Sequence, residues 1–162
     1  AVACNSKLII ADEPTTALDV TTQAQVMELL LRIVQDMKKS IVVVTHNLGL
    51  VTRYAQRIYV MYAGRIVESG TTEDILTRPA HPYTMGLLKS VPKLEKREGD
   101  KLVPIEGAPP NLSYLPGYCA FAPRCPYACQ ECREKPVPEL HSVDGKLHFA
   151  ACHLDPIGGV RK

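Results

Sequence analysis

No apolar run in the 162 residues reaches the roughly 18 that a membrane-spanning helix needs, so nothing in the sequence reads as a transmembrane segment. The opening residues do not follow the pattern of a secretory signal either. Charge of one sign is missing as well. The formal net charge is only +2, which gives no argument for a nucleic-acid partner. There is no internal repeat and no low-complexity tract. There is also no initiator Met and no capped entry. The chain is already in the strand-like run Leu8-Ile9-Ile10-Ala11 within ten residues, and it is expected to be a fragment. Charged residues at 22% and apolar residues at 46% nonetheless fit a folded globular chain. Its length allows one domain, or a domain with an appendage.

Two residue types are unevenly spread. Ten of the 13 prolines and five of the six cysteines lie between Pro92 and Lys162. Charge does not divide this way: Ala1–Val91 carries 9 basic and 8 acidic residues, and the rest carries 10 and 9. The halves therefore differ in architecture rather than electrostatics. Residues 1–91 are expected to be regular α/β, and 103–162 loop-rich and held by something other than a large apolar core. Lys93–Lys101, with almost no apolar content, reads as a solvated linker within 92–102.

Leu8–Ala11 is a continuous apolar run closed by Asp12-Glu13-Pro14, which predicts a buried parallel strand. Pro14 ends the ladder because it has no N–H. Thr22 with Gln25 is a capping-box signature. Val26, Leu29, Leu30, Ile33, Val34 and Met37 follow at helical spacing, predicting a helix from about Thr22 to Lys39. Ile41–Thr45 is a second β-branched strand, which completes a βαβ unit. Asn47 is placed to cap a short helix through Ala55. Arg57–Tyr62 and Arg65–Glu68 flank the turn pair Ala63-Gly64. A short helix opens at Thr71/Thr72 with Glu73-Asp74, and another spans His81–Ser90 with Leu87 and Leu88 expected to be buried.

Asp12 and Glu13 leave a buried strand at its C-terminal end, the edge where open α/β sheets bind ligands. A carboxylate there can hold Mg²⁺ through water, and a neighbour can polarise an attacking water. The dipeptide alone is equally a solvated strand end. The second strand ends in Thr45-His46, however, so a His emerges at the same edge as the carboxylates.

LIIADEPTTALD followed by IVVVTH closely resembles the ATP-binding subunits of ABC transporters. In that resemblance LIIADE is the Walker B strand, TALD the D-loop and Thr45-His46 the switch histidine. RIYVMYAGRIVESG is similar to the strand pair that follows. The likeness implies part of a P-loop NTPase (RecA-like) α/β core that binds ATP and Mg²⁺. It implies that Asp12 anchors Mg²⁺ through water, Glu13 serves as general base or orients the water, and His46 contacts the γ-phosphate. Asp19 would communicate across a dimer of nucleotide domains. Such phosphoryl transfer rests on positioning and charge neutralisation. The sequence lacks the G-x-x-x-x-G-K-[ST] phosphate loop, the Gln loop and the signature motif, so the chain alone is expected not to bind ATP usefully.

The later segments HPYT, SVP, GAPPNL, CAFAPRCPYA and HFAAC resemble the oligopeptide, dipeptide and nickel importers within that superfamily. The implied partners are a second ATPase subunit (identical or paralogous), two transmembrane permeases and an extracytoplasmic solute-binding protein. The implied location is peripheral, on the cytoplasmic face of the inner membrane.

Cys119, Cys125, Cys129, Cys132 and Cys152 fall within 34 residues. A cytosolic setting argues against disulfides and for metal. The family-like set is Cys119, Cys125, Cys132 and Cys152. Related dipeptide-importer subunits carry a [4Fe–4S] cluster on this pattern, so the resemblance implies one here. Zn²⁺ is the alternative: Cys129-x-x-Cys132 is a common zinc spacing, and His153 could serve as a ligand. Free thiols without metal also remain open. Cys125-x3-Cys129-x2-Cys132 matches radical SAM spacing, but it sits about 30 residues from the end rather than early in a barrel. Tyr83, Tyr114, Tyr118 and Phe121 are expected to be packing residues. A different class of function, a stand-alone metal-binding or redox-sensing module on a non-hydrolytic α/β scaffold, would also explain the missing phosphate loop.

Overall fold

The structure is a computed structural model that describes residues 6–90 and 104–154. They fall into two compact units that divide after Ala55. In the first, strand β1 (Leu8–Asp12) pairs in parallel with β2 (Ser40–Val44), from Leu8↔Ser40 to Asp12↔Val44. Helix α1 (Val20–Asp36) makes the crossover, giving the predicted βαβ unit.

Both ends of α1 differ from the sequence expectation. Asp19, not Thr22, is the N-cap: its Oδ1 accepts from Thr21 N and Thr22 N at 3.0 Å. Thr22 Oγ1 instead donates to Asp19 Oδ2 at 2.6 Å. Asp is as good a cap as Thr and sits one turn earlier. The helix stops at Asp36 rather than Lys39. Lys38 adopts φ +50°, and Lys39 N bonds Val34 O while Lys38 N bonds Gln35 O, the closing pattern of a Schellman motif.

The strands also differ from the buried reading. Ile9 is buried, but Leu8, Ile10, Val42 and Val44 are exposed, Ile10 by 64%. One face of the sheet is therefore uncovered among the described residues. Leu29 and Met37, assigned to the buried stripe of α1, are exposed as well; Met27 and Val34 carry its core contact. Helix α2 (Leu48–Tyr54) starts at the predicted cap, with Asn47 Oδ1 accepting from Gly49 N and Leu50 N.

The second unit is an antiparallel sheet. β3 (Arg57–Tyr62) and β4 (Arg65–Thr71) form the predicted hairpin, β4 running three residues past the expected Glu68. Ala63 and Gly64 both take positive φ, +48° and +76°, as a two-residue primed turn requires. Helix α3 (Thr72–Thr77) opens on a capping box between Thr71 and Asp74. Helix α4 (Pro82–Ser90) follows. Leu87 and Leu88 are half-buried rather than buried.

The cysteine-rich segment joins this sheet. After a 3₁₀ turn (Ala122–Arg124) and helix α5 (Glu131–Glu134), strands β5 (His141–Ser142) and β6 (Phe149–Ala150) complete the order β3-β4-β6-β5. Of the four residues in these two strands only Ala150 is fully buried, and the segment that follows β6 anchors it, with Ala151, Cys152 and Leu154 nearly buried. Tyr62, Tyr83 and Phe121 pack as a trio with ring centroids 4.6–5.5 Å apart. Tyr114, by contrast, is 83% exposed and Tyr118 is exposed, so neither is a packing residue.

The expected linker at 92–102 lies outside the described residues. Among the described residues no helix is long and apolar enough to cross a membrane.

Helix α4 carries a close approach. A Cβ on Gly86 would lie 2.8 Å from Ile105 Cγ1. Gly86→Ala is expected to lower unfolding free energy by about 1–3 kcal/mol, the overpacking cost outweighing the gain in helix propensity. Urea unfolding of the variant measures this; a stabilised variant would show that Ile105 moves aside freely.

Candidate functional site

The parallel pair β1–β2 brings the predicted residues together at one edge. Asp12 is the last residue of β1, exposed, opposite Val44. Glu13 extends the ladder by one bond, Glu13 N donating to Val44 O at 2.8 Å, then turns at φ +45°. This sparsely used backbone conformation swings the carboxylate towards the end of β2. There His46 Nδ1 lies 2.7 Å from Glu13 Oε1. Thr16 Oγ1 donates to Glu13 Oε2 at 2.9 Å. The His46 hydrogen bond, then that of Thr16, holds the Glu13 carboxyl below its ordinary value. His46 is 83% exposed and Glu13 38%, so the pair faces solvent. It is open to water from outside.

The turn from Thr15 to Asp19 leads from this pair into α1. Ala17 takes φ +67°, and Leu18 N bonds Thr15 O. Both carboxylate oxygens of Asp19 are engaged in capping α1, and Thr22 above all lowers its pKa. Asp19 thus faces its own helix rather than the Glu13–His46 pair. Sequence reasoning missed Thr16 and Gln23, which hold this turn; polar residues in a turn and on a helix carry no signal that separates them from solvated ones.

The cysteines converge on a second place. Cys119, Cys125, Cys132 and Cys152 line one cavity together with His81, His153 and Phe121. All five described cysteines are free thiols. Burial raises Cys132 to about 11 and Cys152 to about 12, and raises Cys125 also. At neutral pH these are protonated thiols, and binding a metal would release their protons. Cys129 is not in the cavity lining; its Sγ touches Cys132 Sγ at 3.4 Å. Burial lowers His81 to about 4, so its ring is neutral at physiological pH. His153 Nε2 is buried without a hydrogen-bond partner. Among the described residues no group of three or more His, Cys, Asp or Glu side chains is spaced as a metal site.

A third cluster was not foreseen. Glu68, in the middle of β4, is fully buried. Its Oε1 accepts from Ala80 N at 2.6 Å and from His148 Nε2 at 2.8 Å, and its Oε2 from His81 N at 2.9 Å. The carboxylate ties β4 to the entry of α4 and to the residue before β6.

The model of the oligopeptide/dipeptide transporter C-terminal region matches residues 67–132. A Brucella melitensis protein named for peptide import and ATP binding is 52% identical over 157 residues, 94% of this chain and 46% of its own length. The dipeptide transport ATP-binding protein DppD of Haemophilus influenzae is 48% identical over 153 residues, 94% of this chain and 45% of its own. The oligopeptide transport ATP-binding protein OppD of Salmonella typhimurium is 48% identical over 142 residues, 88% and 42%. The chain spans less than half the length of these relatives.

Proposed function

Because the chain belongs to the peptide-import ATP-binding proteins of the oligopeptide/dipeptide transporter family, we propose that it serves an ATPase subunit whose turnover drives di- or oligopeptide uptake. The observation that carries this reading is the Glu13–His46 pair beside Asp12, at the C-terminal ends of adjacent parallel strands. LIIADE is the Walker B strand and TALD the D-loop in this reading. Residues 1–91 belong to the nucleotide-binding domain and 103–162 to a cysteine-rich extension.

Asp12 would hold Mg²⁺ through water; its exposed carboxylate at the strand end fits a hard cation. The metal would neutralise charge on the phosphates. Each Glu13 oxygen takes one bond, Oε1 from His46 and Oε2 from Thr16, and a second lone pair on either is left to orient the attacking water, while His46 presents its Nε2 towards the γ-phosphate. Asp19 acts through α1, whose first turn it holds, and its loop is the proposed contact with a second nucleotide domain. The phosphate loop and signature motif fall to the part of the subunit this chain does not span.

The uncovered face of β1–β2 supports a larger domain. Parallel sheets are covered on both faces. Among the described residues nothing covers Leu8, Ile10, Val42 and Val44. A second ATP-binding subunit, two permeases and an external solute-binding protein complete the proposed importer, with this subunit at the cytoplasmic membrane face. The relatives' names favour this over a stand-alone metal or redox module.

For the extension, the reading is a [4Fe–4S] cluster on Cys119, Cys125, Cys132 and Cys152, with Zn²⁺ as the alternative. Four soft thiol donors around one cavity suit such a cluster. The thiols would have to draw together and lose their protons on loading. Anaerobic purification of the intact subunit should yield roughly four iron and four sulfide per chain, lost when Cys119 and Cys152 are changed to Ser. Zinc without sulfide would replace the cluster with the alternative, and no metal at all would leave free thiols.

A further inference from the structure

One amide touches the two segments that follow Glu13 and His46. Gln23, in the first turn of α1, donates from Nε2 to Leu18 O at 3.0 Å and to Thr15 O at 3.3 Å. Its Oε1 accepts from Asn47 Nδ2 at 3.2 Å. Both amide protons and the carbonyl are therefore used, and the flipped orientation would set oxygen against two carbonyls and NH₂ against NH₂. On one side lies the turn that begins at Glu13. On the other lies the residue after His46, which also caps α2 and whose N–H bonds Thr45 Oγ1 at 3.1 Å.

The pair itself is too exposed for packing to fix its 2.7 Å separation. Backbone placement must do so. Besides the ladder bond from Glu13 N to Val44 O, the Gln23 amide bridges the two segments. We infer that Gln23 is a positioning residue that sets the Glu13–His46 distance by tying the Thr15–Leu18 turn to Asn47. The inference rests on the ATPase reading for its effect on turnover, but not for its geometry. Small displacements of catalytic groups cost rate far more than they cost binding.

The test uses the intact ATP-binding subunit with Gln23→Glu and Gln23→Ala. Gln23→Glu keeps size but turns an oxygen on Thr15 O and Leu18 O. Both variants should lower kcat about 10-fold or more, with KM for ATP within about threefold of the parent. Selective histidine NMR gives a readout that overall stability does not move. The His46 Nδ1 resonance, which reports its bond to Glu13, should move towards its position in Glu13→Gln. An unmoved His46 Nδ1 resonance, or an unchanged kcat in Gln23→Glu, overturns the inference. A parent subunit without ATP turnover would remove the ATPase reading instead, and the His46 Nδ1 resonance alone then decides whether Gln23 positions the pair.

Discussion

Glu13→Gln in the intact subunit is expected to reduce ATP turnover at least ~100-fold while leaving ATP binding within a few-fold of the parent. The amide keeps the shape and an oxygen for His46 Nδ1 to bond, so the strand-end geometry survives. It loses the negative charge that a lytic water needs beside it. The structure also sharpens which of two roles Glu13 plays. His46 and Thr16 both bond its carboxylate and hold it below its ordinary 4.5. A carboxylate made more acidic is a poorer proton acceptor, so orientation of the water carries more of the effect than proton abstraction does. The pH profile checks this. The acid limb assigned to Glu13 should fall below the usual carboxylate range, so turnover stays flat with respect to this group from neutral pH down to about 5. Turnover of Glu13→Gln within tenfold of the parent would remove Glu13 from the reaction.

The residues of this pair were legible because their signal is local in two places and long-range only through topology. An apolar run closed by two carboxylates, a helix of 17 residues and a second run ending in His put Glu13 and His46 at one edge once the strands are parallel. The hairpin at Ala63-Gly64 and the helix start at Thr71/Thr72 were legible for the same reason: their chemistry lies within four residues. Burial was less so. Leu8 and Ile10 read as core because hydrophobicity reports a need for cover, not what provides it. The cap at Asp19 is hard to read because Thr22 with Gln25, one turn later, carries the same local signature, and only the backbone course at Asp19 separates the two. The tail was opaque for a different reason. β6 has two residues and pairs with a strand about 80 positions earlier, at Glu68↔Ala150 and Ser69↔Phe149. No periodicity can build up over two residues, and the proline and cysteine density that marked the segment says nothing of where it docks.

Glu68→Ala is expected to be the most destabilising single change in the second unit. The fully buried carboxylate accepts from two backbone N–H groups and from His148 Nε2. Truncation would leave Ala80 N, His81 N and His148 Nε2 buried without acceptors. His148 already has one buried nitrogen unpaired, Nδ1, so the ring could not turn to a ready alternative. Removing one partner from such a buried pair costs about 3–5 kcal/mol. Glu68→Gln keeps the volume but sets an NH₂ against a donor on one side, for about 1–3 kcal/mol. Denaturant unfolding of the intact subunit measures both, and the order Ala worse than Gln is part of the expectation. Hydrogen exchange adds the location. Ala151 N bonds Val67 O and Val143 N bonds His148 O, both flanking the buried pair. Their protection should fall first in Glu68→Ala, because β4 holds β6 by only two residue pairs. The cysteine cavity should loosen with it, since Ala151, Cys152 and His153 follow β6 directly and line that cavity. A Glu68→Ala protein within about 0.5 kcal/mol of the parent, with these amides still protected, would show that packing of Phe121, Ala150 and Leu154 alone seats the tail on the hairpin.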